Sequence, residues 1–252
     1  MIQITPRRNE LGPVSRLKNG VLSLLCPHLC AICGRRVGEP GFCGDCEGEV
    51  ETISGPACGR CGCPGVLCAA SCPNCQEKVF RFSRLYSAWV FGESVQNLMH
   101  SFKYEGKTWL APVMASAILT RLDGAWSGSN DTVVVPVPLH RARMRERGYN
   151  QSELLARGVA NATGMQLSAA LRRERMTETQ TRLGLEDRDA NVSGAFALRE
   201  GSGLADKRVL LIDDVVTTGA TVNACTDVLL AAGVCEVNVA AAASPYRVAT
   251  AD

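Results

Sequence analysis

Residues 209–221 read VLLIDDVVTTGAT, and the parsing of that stretch decides the fold. Four apolar residues in a row, Val209 to Ile212, suit a strand buried on both faces. Two carboxylates follow at once, Asp213 and Asp214, and then a loop of small and hydroxylated residues, Thr217, Thr218, Gly219, Ala220 and Thr221. In an open α/β sheet, ligands bind outside the carboxyl ends of the strands. The acidic pair falls at such an end. Loop N–H groups and the dipole of the helix that begins near Thr221 favour an anion there. Gly219 lets the backbone come close, and the threonine hydroxyls add donors. Carboxylates repel the same anion, so Asp213 and Asp214 should face ribose hydroxyls or a bound magnesium ion. A phosphate on the loop beside hydroxyls on the acids describes a sugar phosphate. The stretch contains neither GxGxxG nor GxxxxGK[ST], which sets aside the dinucleotide and P-loop patterns.

Outward from this strand, apolar runs alternate with helical periods. LYSAWVF reads as a strand and ESVQNLMHSFK as a helix with Val95, Leu98, Met99 and Phe102 on one face. TWLAPVMASAILTRL is a second helix and TVVVPVP a buried strand. NQSELLARGVANATG is a helix bounded by cap-type residues and Gly164. TVNACTDVLLAAG is a helix stopped by Gly233, and EVNVAAAA closes the series. The pattern predicts an α/β domain over 85–252, a parallel sheet with helices on both faces. Residues 1–25 carry a short amphipathic helix pattern at Val14, Leu17, Val21, Leu22, Leu24 and Leu25, and QEKVFRFSR is the connector into the sheet.

The chain has 252 residues, 46% of them hydrophobic, enough for one sizeable core plus a small module. Its net charge of +2 gives no global field toward nucleic acid or anionic lipid, so any such contact needs a local patch. The first twenty residues are too polar for a secretory signal, and VLSLL is too short to span a bilayer. The expectation is a cytoplasmic, reducing compartment and no membrane insertion. Eleven of the 13 cysteines lie between Cys26 and Cys75, where large apolar residues are few. Cys30-x-x-Cys33 with Cys43-x-x-Cys46, and Cys58-x-x-Cys61 with Cys72-x-x-Cys75, have the spacing of thiolate knuckles that close a tetrahedral four-sulfur site. A double zinc-ribbon module over 26–76, with one or two structural zinc ions, is the reading. Cys26 and His28 are within reach of the first site, and Cys63 and Cys68 compete as ligands of the second. Such closed sites offer no open position for catalysis.

VLLIDDVVTTGAT closely resembles the phosphoribosyl pyrophosphate (PRPP) motif of type I phosphoribosyltransferases. With the cysteine pairs and RGYNQSELLA at 147–156, the chain from about residue 20 is similar to the ComF family, GntX-like relatives included. That family joins a zinc-finger-like module to a phosphoribosyltransferase domain and is associated with DNA uptake in natural competence. The resemblance implies that Asp213 and Asp214 contact the ribose of PRPP with magnesium and that Thr217 to Thr221 cradle its 5-phosphate. It implies that Val135 to Leu139 lead into the pyrophosphate loop. HRARMRER at 140–147 then adds four arginines, of which Arg147 lies in the family signature with Gly148, Asn150 and Gln151. Lys103 matches a basic position of the family, and the polar run 175–196 matches a mobile loop that closes over PRPP.

Three functions remain in view at this point. One is a transferase moving ribose 5-phosphate to a nucleobase-like acceptor, for which no acceptor pocket is recognisable. Another is PRPP-linked handling of single-stranded DNA, with a groove built from Arg141, Arg143, Arg145, Arg147, Arg172, Arg173 and Arg175. The last is a PRPP-sensing regulator whose zinc module docks on protein partners, competence-machinery proteins among them.

Overall fold

The computed structural model describes residues 28–122, 131–175 and 194–246. The N-terminal amphipathic pattern, Cys26 and most of the polar run, including Thr179, Gln180, Leu183, Arg188 and Asn191, lie outside the described residues. Between Gly48 and Glu49 the chain divides into two compact units. In the first, β1 (His28–Leu29) pairs antiparallel with β2 (Arg36–Val37), and α1 (Gly44–Glu49) follows. These elements are too short to bury much apolar surface. What they do is bring four cysteine sulfurs together.

The second unit runs through α2 (Pro73–Glu77), β3 (Arg84–Val90), α3 (Glu93–Tyr104), α4 (Ala111–Leu122), β4 (Thr132–Pro136), α5 (Arg141–Arg147), α6 (Gln151–Thr163), β5 (Gln166–Leu167), β6 (Leu171–Arg173), β7 (Phe196–Leu198), β8 (Arg208–Val215), α7 (Ala220–Ala231) and β9 (Glu236–Ser244). Five strands form a parallel sheet in the order β3-β9-β8-β4-β5, while β6 and β7 pair separately as an antiparallel ribbon. Helices α4 and α6 pack on one another and on the sheet, and α7 packs on β9 and β7. Burial on both sides explains the unbroken apolar runs, since a solvated face would demand polar alternation. Leu210, Leu211 and Ile212 are all fully buried. Each such side chain contributes about 1.5–3 kcal/mol by leaving water.

Strand β8 runs three residues beyond the apolar run Val209 to Ile212. Asp213 pairs with Ala241, Val215 with Ala243, and the Val216 N–H still donates to the Ala243 carbonyl at 3.1 Å. The acidic pair is thus held on the ladder of a central strand. The arginine-rich stretch after β4 is helical: His140 Nδ1 accepts from the Ala142 N–H at 3.2 Å to start α5, and Gly148, in the left-handed region with φ 80, stops it.

Contacts divide the cysteine-rich region. The second group of cysteines belongs to the unit of the sheet, where Cys58, Cys61, Cys63 and Cys72 join Phe80, Phe82, Leu85, Val209 and Leu211 in one core. A segment poor in large apolar residues borrows the core of its neighbour. The Leu85 N–H donates to the Arg60 carbonyl at 2.8 Å, and a Cβ on Gly62 would stand 2.7 Å from the Leu85 carbonyl oxygen, so only glycine fits. Nearer the N-terminus, the Ile53 N–H donates to Ala88 and the Val90 N–H to Glu51, which lays residues 51–53 along the outer edge of β3.

Candidate phosphate and metal sites

From β8 the chain passes through α7 to β9, and from β4 through α5 and α6 to β5, on the opposite side in the sheet order. Connections that diverge from neighbouring parallel strands leave a crevice at their carboxyl ends. A cavity of about 230 Å³ opens there, lined among others by Lys103, Arg143, Arg147, Arg173, Asp213 and Asp214. A recess of about 20 Å³ adjoins it, formed by Asp213 and residues 215–222.

The two carboxylates have different neighbours. Asp213 Oδ1 accepts from the Ser152 hydroxyl at 2.9 Å and from the Asp214 N–H at 2.9 Å. Lys103 Nζ lies 2.7 Å from Asp214 Oδ2, close enough for an ion pair, although its approach misses hydrogen-bond geometry. Burial pushes the Asp213 carboxyl up, the charge of Asp214 pushes it further, and Lys103 and Ser152 only partly offset them, leaving it at about 7. For Lys103 burial acts downward, but Asp214 and then Asp213 outweigh it, so its ammonium titrates above the usual lysine value.

Three arginines and Tyr104 line the cavity, and two of the arginines stack on aromatic rings. The Arg147 guanidinium donates to Gln151 Oε1 at 3.0 Å and lies 4.8 Å above the Tyr104 ring, while its Nε is buried without a hydrogen-bond partner among the described residues. Gln151 Nε2 is likewise buried and unpartnered. Buried donors left over in a cavity are costly in an empty protein and available to an anionic guest. Arg173 lies over Phe196 at 5.3 Å, and burial depresses its value. The start of α6 is tied to β4 by Asn150, whose side chain accepts from the Ser152 N–H at 3.1 Å and donates to the Val137 carbonyl at 3.0 Å. This cap aims Ser152 at Asp213.

Of the residues singled out from the sequence, Asp213, Asp214, Lys103, Arg147 and Thr221 line the larger cavity. Thr217, Thr218, Gly219 and Ala220 line the recess with Asp213 and Thr221. Helix α7 starts at Ala220 without a side-chain cap at Gly219, and Thr218 Oγ1 accepts from the Ala220 N–H at 3.3 Å. Ser152 and Tyr104 were not singled out. The cap at Asn150 is written in the sequence, but the bond from Ser152 spans 61 residues and leaves no local trace.

Among the described residues, two four-sulfur groups fit a metal. Cys30, Cys33, Cys43 and Cys46 form one, and Cys58, Cys61, Cys72 and Cys75 the other, each with all sulfurs within 4.8 Å of one another. A tetrahedron with zinc–sulfur bonds of about 2.3 Å places its sulfurs about 3.8 Å apart. Cys33 and Cys43 are 3.7 Å apart, Cys58 and Cys75 3.6 Å, and Cys61 and Cys72 3.5 Å. Backbone amides already point at the first sulfur of each group, from Cys43 to Cys30 at 3.3 Å and from Arg60 to Cys58 at 3.4 Å. Burial raises the Cys30 thiol, yet N–H groups of Cys33, Cys43 and Ile32 bring it down to about 6, a thiolate in waiting. Cys63 and Cys68 stand outside the second group. The Cys63 thiol faces the Pro64 carbonyl and is pushed up to about 11 by burial, then by Cys72, which keeps it protonated. His28 is exposed and outside the first group.

Comparisons with known proteins bear on the family. Residues 117–248 match the family model of the phosphoribosyl transferase domain. The chain is 28% identical over 208 residues to Competence protein F of Haemophilus influenzae, covering 81% of this chain and 90% of that protein. It is 31% identical over 224 residues to DNA utilization protein YhgH of Salmonella typhimurium, covering 86% of this chain and 96% of that protein. It is 28% identical over 201 residues to Competence protein ComFC of Streptococcus pneumoniae, covering 76% and 82%.

Proposed function

This chain belongs to the ComF family with its phosphoribosyl transferase domain, and from that premise we propose that it binds PRPP with magnesium and serves DNA uptake through single-stranded DNA. One observation carries the reading. An acidic pair ends the central strand, a hydroxyl-rich loop enters α7 directly after it, and a cavity lined by guanidinium groups opens alongside.

The loop N–H groups and the threonines take the 5-phosphate, and Asp213 and Asp214 accept from the ribose hydroxyls. Magnesium, when bound, supplies positive charge against the pyrophosphate. Asp213 and Asp214 are the residues that would hold it or the hydroxyls beside it. Arg147 presents its buried, unpartnered Nε to the pyrophosphate while Gln151 and Tyr104 fix its plane. Lys103 neutralises Asp214 in the empty protein. On binding, ribose hydroxyls donate to Asp214 as Lys103 turns to the incoming anion, so no carboxylate is left both buried and unpaired. Zinc in the two four-sulfur groups is structural, with Cys30, Cys33, Cys43 and Cys46 as one ligand set and Cys58, Cys61, Cys72 and Cys75 as the other.

Support for single-stranded DNA comes from Arg141 and Arg145, exposed on α5, and from the half-exposed Tyr104 at the cavity mouth. The names of the relatives point the same way for those proteins. An active transferase is the second reading, favoured by a crevice that holds both acid and guanidinium groups.

Pyrophosphate release from PRPP decides between them, measured with pooled nucleobases in one set and single-stranded DNA in another. Release that vanishes in Asp213→Asn with Asp214→Asn means a transferase. Binding of PRPP without release means the fold is used for binding alone. Unaltered PRPP affinity in the double variant would sink the site assignment itself.

A further inference from the structure

Residues 78–82 leave the second four-cysteine group and pass behind the phosphate loop before entering β3. Asn223, in the first turn of α7, clasps this segment on both sides of Phe80. Its Oδ1 accepts from the Arg81 N–H at 2.9 Å, and its Nδ2 donates to the Val79 carbonyl at 2.8 Å. Arg60 sits between Cys58 and Cys61. Its guanidinium donates to the Phe80 carbonyl, and its backbone N–H points at Cys58 Sγ. Phe80 is buried, with Phe82 at 5.2 Å and Tyr246 at 5.7 Å between ring centroids. Its ring backs the loop so closely that a Cβ on Gly219 would meet a ring carbon at 3.3 Å. Gly219 holds φ 89 at the entry to α7 and so aims the first N–H groups of that helix. The Tyr246 hydroxyl, buried without a partner among the described residues, stands 3.8 Å from the same point.

We propose that Arg60 and Phe80 are positioning residues through which the second four-cysteine site holds the phosphate loop, so that metal occupancy of that site and phosphate binding at the loop are coupled. The coupling rests on the reading of residues 217–221 as the cradle of the PRPP 5-phosphate. With a metal bound, four sulfurs pin the turn that carries Arg60 and the helix that leads to Phe80. Without it, the two halves of the group part, and the wall behind Gly219 is no longer fixed. Packed interiors deform poorly and tend to switch between arrangements, which lets a distant ligand be felt. Coupling of this kind is reciprocal: the factor by which metal tightens phosphate binding is the factor by which phosphate tightens metal binding.

The test titrates the full zinc-loaded chain to equilibrium with a chromogenic chelator, with and without saturating magnesium–PRPP. One zinc equivalent is expected to be held at least about fivefold more tightly when PRPP is present, and the other with unchanged affinity. Phe80→Ala should abolish the difference and weaken PRPP binding about tenfold, while Phe80→Leu, which keeps a bulky apolar group, should restore most of both. Because Phe80→Ala also empties a core position, Asn223→Ala gives a second variant that loosens the clasp from the helix side, with the same losses in smaller measure. Zinc affinity insensitive to PRPP, in protein that binds PRPP normally, would overturn the coupling and leave the PRPP reading intact. Equal tightening of both equivalents would overturn it too, since a general stabilisation would then be at work. Failure of the wild-type chain to bind PRPP would overturn both.

Discussion

The two four-cysteine groups share ligands and almost share spacing, CxxC-x9-CxxC in one and CxxC-x10-CxxC in the other, yet they are embedded differently. The first belongs to a unit of two-residue strands and a short helix, where Cys33 is exposed and the ion pair at its flank, Arg35 with Asp45, is open to water. The second contributes three of its four sulfurs to the core of the sheet. A structural metal therefore has two possible duties. It can fold the segment that binds it, or it can also hold in place what that segment leans on. Ligand chemistry does not distinguish the two; the residues behind the ligands do.

The sharpest attempt to break this comparison is a matched pair of substitutions. Cys61→Ser should lower the unfolding free energy of the sheet-containing unit by more than about 4 kcal/mol, the range that follows loss of a metal. Cys33→Ser should leave that transition within about 0.5 kcal/mol. Urea unfolding followed by tryptophan fluorescence reads it directly, because Trp89 is buried on β3. Equal effects would erase the distinction. Next in size is Asp213→Asn with Asp214→Asn, expected to weaken magnesium–PRPP at least about a hundredfold while both zinc equivalents stay bound. Calorimetry and metal analysis of the same sample would show whether the acidic site fails alone or takes the metal sites with it.

The pH response is smaller and turns on Asp213. A carboxyl raised to about 7 holds its proton more tightly folded than unfolded. Its contribution to stability is thus complete below about pH 4 and is lost as pH rises through about 7. Binding that requires the carboxylate runs the other way, tightening by up to about tenfold per pH unit below 7 and levelling above it. The difference between wild type and Asp213→Asn over pH 6–8 isolates this group from the titration of PRPP itself. A pH-independent difference would show that Asp213 is already ionised. The smallest effect belongs to Ser152→Ala, which should cost about 1 kcal/mol of binding and move the midpoint upward, since a hydrogen bond to the charged form is lost. Ser152→Thr should restore the midpoint.

Much of this was legible in residue order. The alternation of apolar strands with periodic helices foretold the sheet, CxxC spacing foretold the four-sulfur groups, and DDVVTTGAT marked the end of the central strand. What could not be read is contact across the chain. Nothing near Cys63 in sequence says that its sulfur turns to a proline carbonyl while Cys72 turns inward. Likewise Lys103 meets Asp214 and Ser152 meets Asp213 only because β8 lies at the centre of the sheet. The helical nature of residues 141–147 was hidden by their charge: arginines favour a helix as much as they favour solvent, and the deciding signals were His140 before them and Gly148 after.

The strip formed by residues 51–53 has a meaning for life at high concentration. A parallel sheet ends in a strand whose outward amides and carbonyls would pair with any extended chain that came near, another copy included. Here Glu51 and Ile53 take up two of those groups, the Val90 amide and the Ala88 carbonyl, and at the opposite border β5 is only two residues long. Both borders are thus poorer templates, one partly covered and one curtailed. Insertions or cuts just before residue 51 would be felt first as loss of colloidal behaviour, before any change in what the crevice binds.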